Sequence, residues 1–229
     1  MTVLYGQPYA CYPGRVKLEN FGGSGMATPA RAAKREDRRD AILDVAYECF
    51  VAEGYGLTSM STIAAKLGGS KGTLYNYFRS KEELFDAFVR RSCERLQAHL
   101  EHAPLDGDLR ERLVQLAVTF LDHLLSPETI SIYRVVVGEG ERFPELARLF
   151  YDAGPRTGIA RTAKLLGSLM DDGRLRKDDP VQAAHQFKDL ALSGLFNLRI
   201  WGVIDDPPPA ERQRRAEVAV DTFLRAYAP

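Results

Sequence analysis

An all-α fold of about nine helices, a small N-terminal head followed by a larger helical body, is predicted by three observations. Apolar residues recur at helical spacing from Ala30 almost to the C-terminus, and no segment shows the strict alternation of a strand. Proline opens one periodic segment after another, at Pro127, Pro144 and Pro180, where its missing N–H costs a helix least. Serine stands before others as an N-cap, at Ser59, Ser70 and Ser80.

Residues 1–30 carry Gly6, Pro8, Pro13, Gly14, Gly22, Gly23 and Gly25 without helical period, and read as a disordered extension. Met26 precedes a stretch resembling an ordinary protein start, so Met1 and Met26 both stand as first residues. Ile42, Val45, Ala46, Cys49 and Phe50 form one face of a first helix, which Gly54 and Gly56 end. A short second helix buries Ile63, Ala64 and Leu67. Gly68-Gly69 then turn the chain, and Ser70 caps a third helix from Lys71 to Phe78. Ser80 and Glu83 have the spacing of a capping box and open a fourth, with Leu84, Phe85 and Phe88 inward. The head spans residues 31–82 and the body 83–229, with the boundary inside this helix. In the body, Leu109, Leu113, Leu116, Phe120 and Leu124 share a face. Gly154-Pro155 and Gly173 break later helices. A helix from Pro180 to Trp201 and a last one ending near Tyr227 complete the chain.

Composition excludes several classes. The chain has 229 residues, with 31 Lys and Arg against 31 Asp and Glu. The zero total hides a division: residues 1–81 hold 11 basic against 7 acidic residues, and 82–229 hold 20 against 24. A basic head on an acidic body suits a polyanion at one end only. No apolar run approaches the ~18 residues of a membrane span, and no signal peptide is visible. Cys11, Cys49 and Cys93 are odd in number and widely spaced, which fits a reducing cytoplasm.

Two short helices joined by a glycine turn form a helix-turn-helix unit, whose second helix enters the DNA major groove. Leu74 and Phe78, four apart, face the core, and Lys71, Thr73, Tyr75, Asn76 and Tyr77 remain for the other surface. Gly72 permits close backbone approach to a phosphate. Gly68 to Thr73 fails as a phosphate-binding loop, because Gly follows Lys71 where Ser or Thr is needed. Tyr75 and Tyr77 taken singly read equally as packing residues, and Lys71 or Lys81 singly as solvated charges. Arg31, Lys34, Arg35, Arg38 and Arg39 lie just before helix one. They read either as an arm on the DNA backbone or as a flank solvated beside Glu36 and Asp37.

Thr58 to Ala64, Leu67-Gly68, Ser70 to Phe78 and Ser80 to Leu84 together resemble the N-terminal domain of the tetracycline-repressor-like family, in continuous order over about 50 residues. Met60 and Gly69 each replace a more frequent Val. The resemblance implies that Lys71, Gly72, Thr73, Tyr75 and Asn76 contact bases or nearby backbone, and that Tyr77 and Lys81 grip phosphates. Ser59 and Ser61 would begin the bracing helix near phosphate, with Ser70 at the N-terminus of the reading helix. Asn76 is apt for adenine and Lys71 for guanine. The stretches Glu141 to Ala147 and Tyr151 to Pro155 resemble the AefR-like branch of this family. That implies an effector pocket between the middle helices, with Phe120, His123, Tyr133, Phe150, Tyr151 and Phe187 as candidates; simple core packing is the other reading of each.

The segment from Leu190 to Trp201 is apolar nearly all round, so it must be covered on several sides. The family expectation is a two-fold four-helix interface built from Ala191, Gly194, Leu195, Leu198 and Trp201 with Ala216, Val220, Phe223 and Tyr227; a deep core within the subunit is the alternative. The function implied is a homodimeric, ligand-responsive DNA-binding regulator, a repressor released from a palindromic operator by a small-molecule effector. The rivals are an all-α enzyme and a helical binding or interaction protein without operator binding. His99, His102, His123 and His185 lack metal-ligand spacing, although His99 and His102 share a helix face. Ser24 lacks the register of a nucleophile elbow. None of these motifs implies a cofactor, a metal or a membrane partner.

Overall fold

Serine, aspartate and proline set where the chain turns into helix. The computed structural model describes residues 29–102 and 108–229, with side chains from residue 33 and outside 95–107. The expected extension, with Cys11, Ser24 and Met26, lies outside these residues, as do the side chains of Arg31, His99 and His102. The head comprises α1 (Pro29–Glu53), α2 (Met60–Lys66) and α3 (Lys71–Tyr75). A long α4 (Lys81–His102) leads into the body: α5 (Leu109–Leu124), α6 (Pro127–Glu139), α7 (Pro144–Ala153), α8 (Pro155–Asp171), α9 (Pro180–Leu192), α10 (Leu195–Ile200) and α11 (Pro209–Tyr227). The described residues are all-α.

Three expectations need correction. α1 starts at Pro29, so Lys34, Arg35, Arg38 and Arg39 are a face of that helix and not an arm before it. Ala, Lys and Arg are strong helix formers, and they extend the helix ahead of its apolar face. The segment read as one helix from Pro180 to Trp201 breaks at Ser193 and Gly194, which take φ of 20° and 84°. Glycine accepts that left-handed turn without strain. α3 stops at Tyr75, and residues to Phe78 form a turn in which the N–H groups of Tyr77 and Phe78 both donate to the Leu74 carbonyl.

Two apolar cores result. The first joins Ile42, Ala46, Phe50, Ile63, Leu74 and Phe78 of the head to Phe85 and Phe88 of α4, and continues into Ile132 and Val136 of α6 and Leu146 of α7. The head therefore shares its core with the body. The second core lies among α5, α8, α9 and α11. There Phe187 and Phe223 meet edge to face at 5.1 Å, and Phe223 stacks on Tyr227 at 4.5 Å.

This second core removes most of the expected interface. Ala191, Leu195, Ala216, Val220, Phe223 and Tyr227 are buried inside the subunit, because α11 turns its apolar stripe onto α5 and α9. The alternative of a deep internal core holds for them. Leu198 is half-buried, and Gly194 and Trp201 remain exposed, Trp201 by 70%. The outer face of α11 offers Val218 instead. Accordingly, Phe223→Ala lowers the denaturant-unfolding free energy by about 3–5 kcal/mol. Val218→Ala, on the outward face, changes it by at most about 0.5 kcal/mol in the isolated subunit.

Candidate DNA-reading face and ligand cavity

The head builds its reading face by hiding two residues and exposing the rest. Leu74 and Phe78 are buried, so α3 is pinned by its inner side. Lys71, Gly72, Thr73, Tyr75 and Asn76 are exposed in one continuous patch, and Tyr77 is half-buried beside it. Gly68, at φ +63°, makes the turn between α2 and α3. The Ser59 hydroxyl caps α2 by accepting from the Thr62 N–H at 3.1 Å, and Ser70 caps α3 by accepting from the Thr73 N–H at 3.2 Å. Ser61 is exposed on α2. At Gly72 a Cβ would meet just the Ser70 hydroxyl, at 3.7 Å, so nothing within the chain requires glycine there.

α1 adds charge to this face. The Arg35 guanidinium lies over the Tyr77 ring at 5.9 Å, and Arg39 over Phe78 at 5.3 Å. Arg38 comes within 3.5 Å of where a Gly69 side chain would start. The basic run thus stands beside α3 as a fixed flank.

Lys81 does not join the patch. Its ammonium folds inward, donates to the Tyr55 carbonyl at 2.7 Å and sits 4.1 Å from the centre of the Tyr55 ring. Burial lowers its affinity for a proton, with Glu82, Glu139 and Glu145 opposing. Satisfying a buried carbonyl holds this lysine away from the surface where a phosphate would lie. Lys81 is a joint between head and body.

A cavity of about 570 Å³ opens between α4, α5, α6, α7, α8 and α9. Phe120, His123, Tyr133, Phe150 and Tyr151 all line it. Phe187 does not; it packs against Phe120 and Phe223 in the neighbouring core. Sequence reasoning missed Cys93, Thr129, Arg156, His185 and Lys188. For Val89 and Cys93 a signal existed, since they continue the inward face of Phe85 at helical spacing.

Burial favours the neutral form of three groups in the cavity wall. Burial pushes the Cys93 thiol up to about 11, with Glu128 adding to the shift, and pushes the Tyr133 phenol up to about 12, with Cys93 adding. Burial lowers the His123 imidazole, whose Nε2 stands 3.8 Å from the Cys93 sulfur. Two cations also line the cavity, each paired with a carboxylate: Arg156 with Asp152 at 3.3 Å and Lys188 with Asp189 at 2.9 Å. Among the described residues no cluster of three or more His, Cys, Asp or Glu is arranged to hold a metal, and no helix is long and apolar enough to cross a membrane.

Comparison with known proteins matches both parts. The model described as bacterial regulatory proteins, tetR family, covers residues 42–88. The model described as AefR-like transcriptional repressor, C-terminal domain, covers residues 111–229. The HTH-type transcriptional repressor Rv1474c of Mycobacterium tuberculosis is 29% identical over 159 residues, 69% of this chain and 80% of that protein. A tetR-family regulator from Mesorhizobium loti superposes with a TM-score of 0.75 at 28% identity, covering 86% of this chain and 98% of its own. The flavonoid-responsive regulator FrrA superposes with a TM-score of 0.72 at 35% identity, covering 85% of this chain and 98% of its own. These relatives are transcriptional regulators, not enzymes.

The buried histidine makes stability depend on pH. Its folded pKa lies below the unfolded value near 6.5, so below that pH the unfolded chain takes up a proton that the cavity excludes. His123 therefore withdraws stability as the pH falls through about 6.5. Unfolding midpoints measured between pH 7.5 and 5 should fall more steeply for the parent chain than for His123→Gln.

Proposed function

This chain belongs to the tetR family of bacterial regulatory proteins and is a DNA-binding transcriptional regulator; from that premise we propose a homodimeric repressor, released from a palindromic operator by a small molecule. It acts in the cytoplasm, where the operator is. The observation that carries the DNA reading is the patch Lys71 to Asn76, held outward by buried Leu74 and Phe78 and flanked by the α1 arginines. Lys71 has the donor that reads the guanine edge, and Asn76 has the donor and acceptor that read the adenine edge. Gly72, free of any internal need for glycine, fits close approach by a phosphate. Ser59, Ser61, Ser70 and Tyr77 take the nearby backbone. Two such faces, related by a two-fold axis, would enter successive major grooves about 34–36 Å apart. Gly194, Leu198, Trp201 and Val218 supply the uncovered part of the dimer contact, and the head and body divide within α4.

The cavity supports an effector that is aromatic and carries hydroxyls but no net charge. Its size lies within the roughly 300–1,000 Å³ range of small-molecule sites. Phe88, Phe120, Tyr133 and Phe150 offer ring faces and edges, and His123 and the Tyr133 hydroxyl offer hydrogen bonds. Flavonoids, to which the 35% identical FrrA is responsive, have this chemistry.

Selection from a random DNA pool should enrich an inverted repeat. Asn76→Ala should then cost about 1–3 kcal/mol of binding and relax the preference at one position of each half-site. Lys71→Ala should weaken binding and flatten its salt dependence. A flavonoid probe, the uncharged polyphenol naringenin, added to the complex should release the operator while saturating one site per subunit in calorimetry. A pool that yields no enriched sequence at low salt would sink the DNA reading.

A further inference from the structure

α6 connects the cavity to the head as one rigid rod. Thr129, Ile132 and Tyr133 on its first half line the cavity. Ile132, Val136 and Glu139 follow at i, i+4 and i+7 and therefore share a face. Ile132 and Val136 are buried in the core that the head shares with the body. Glu139, the last residue of α6, accepts a hydrogen bond at 2.7 Å from the backbone N–H of Gly56, 83 positions earlier in the chain. Gly56 lies in the loop from α1 to α2, and α2 braces the reading helix.

The loop is shaped around this carboxylate. A Cβ at Gly54 would stand 2.6 Å from Glu139 Oε1, and one at Gly56 would stand 2.8 Å from Oε2 and 2.9 Å from the Phe143 ring. Gly54 also takes a left-handed φ of +84°. Both glycines are thus needed for the approach of a side chain from the body. Tyr55 between them is held by Lys81 at its carbonyl and by Phe143 edge to face at 5.6 Å. Three body or boundary residues, Glu139, Phe143 and Lys81, grip the first three residues of the loop, Gly54 to Gly56. A hydrogen bond from a backbone amide to a carboxylate is about twice as strong as a neutral one, and it weakens steeply with misalignment.

We propose that Glu139 is a positioning residue for operator release. It transmits a shift of α6, forced by a cavity occupant, to the α1–α2 loop and so to the placement of α2 and α3. The proposal rests on the ligand-responsive reading above. An occupant that fits just one setting of α6 favours one setting of the loop, which is the differential affinity that coupling requires.

An occupant can be built into the chain, so the test does not wait on the natural effector. Gly158 of α8 lies in the cavity wall, and a Cβ there meets nothing within 4 Å. Gly158→Phe places a ring in that open space. Operator affinity is read by fluorescence anisotropy on the selected inverted repeat, with melting by circular dichroism as the folding control. Gly158→Phe should weaken binding by about tenfold or more in the parent chain. In a Glu139→Ala background the same substitution should change binding by no more than about twofold. Glu139→Gln keeps an acceptor of the same shape and should retain an intermediate response; it carries the comparison if the alanine variant melts. Amide exchange at Gly56 should quicken in Glu139→Ala. An undiminished Gly158→Phe effect in both Glu139 variants overturns the role of Glu139 and leaves the ligand-responsive reading standing. No effect of Gly158→Phe on the parent chain, with naringenin also inert, overturns that reading and this proposal together.

Discussion

Tyr55 is the constraint on which the arrangement of head and body depends. Its ring is buried among Phe50, Phe85 and Phe143 at 5.4, 5.6 and 5.6 Å. Its hydroxyl donates to Glu82 at 3.2 Å, and its carbonyl accepts from Lys81. A tyrosine this deep is stable when its polar end finds a partner, and both ends of this one do. Burial, reinforced by the nearby Glu82 carboxylate, keeps the phenol neutral well beyond its ordinary range. One residue thereby ties the end of α1, the start of α4 and the α6–α7 segment. The head is joined to the body there, by residues that belong neither to the reading face nor to the cavity wall.

Local features were legible in the sequence because their causes are local. The glycine turn, the serine caps of α2 and α3 and the paired burial of Leu74 and Phe78 follow from spacing alone. The capping box was nearly right: the Glu83 N–H donates to Ser80, but the Glu83 carboxylate accepts from Arg79 and not from Ser80. Features that depend on which surface meets which were not legible. The apolar stripe of α11 has the same period whether it faces its own α5 or a second subunit, and it faces α5. Phe187 and Phe120 look alike in sequence, yet Phe120 lines the cavity and Phe187 stands in the adjoining core. Lys81 has the spacing of a phosphate contact, and its direction depends on a carbonyl 26 residues away. The pairing of Glu139 with Gly56 had no sequence signal, since a carboxylate and a backbone amide carry no mark of each other at that separation.

The charge division acquires a geometry. The surplus of the head is concentrated where α1 passes α3, so the field of the arginines and the donors of the reading helix point the same way. Acidic residues of the body are largely engaged locally, as in the pairs of Asp221 with Arg110 and of Asp122 with Arg212. Such pairs contribute little stability singly. Each pair removes one charge of either sign, so the body keeps its surplus of acidic residues, 24 against 20, while the basic surplus stays with the head.

The two described thiols bear on what this molecule can sense. Cys49 is buried, and burial raises its pKa; Cys93 stands at about 11 in the cavity wall. The nucleophile in peroxide chemistry is the thiolate, and at neutral pH neither group supplies more than a trace of it. A regulator with a cysteine in its effector cavity would be expected to mix two inputs, the ligand and the oxidant load of the cell. Here the desolvation that keeps the cavity wall around Cys93 apolar also holds its sulfur as the unreactive thiol.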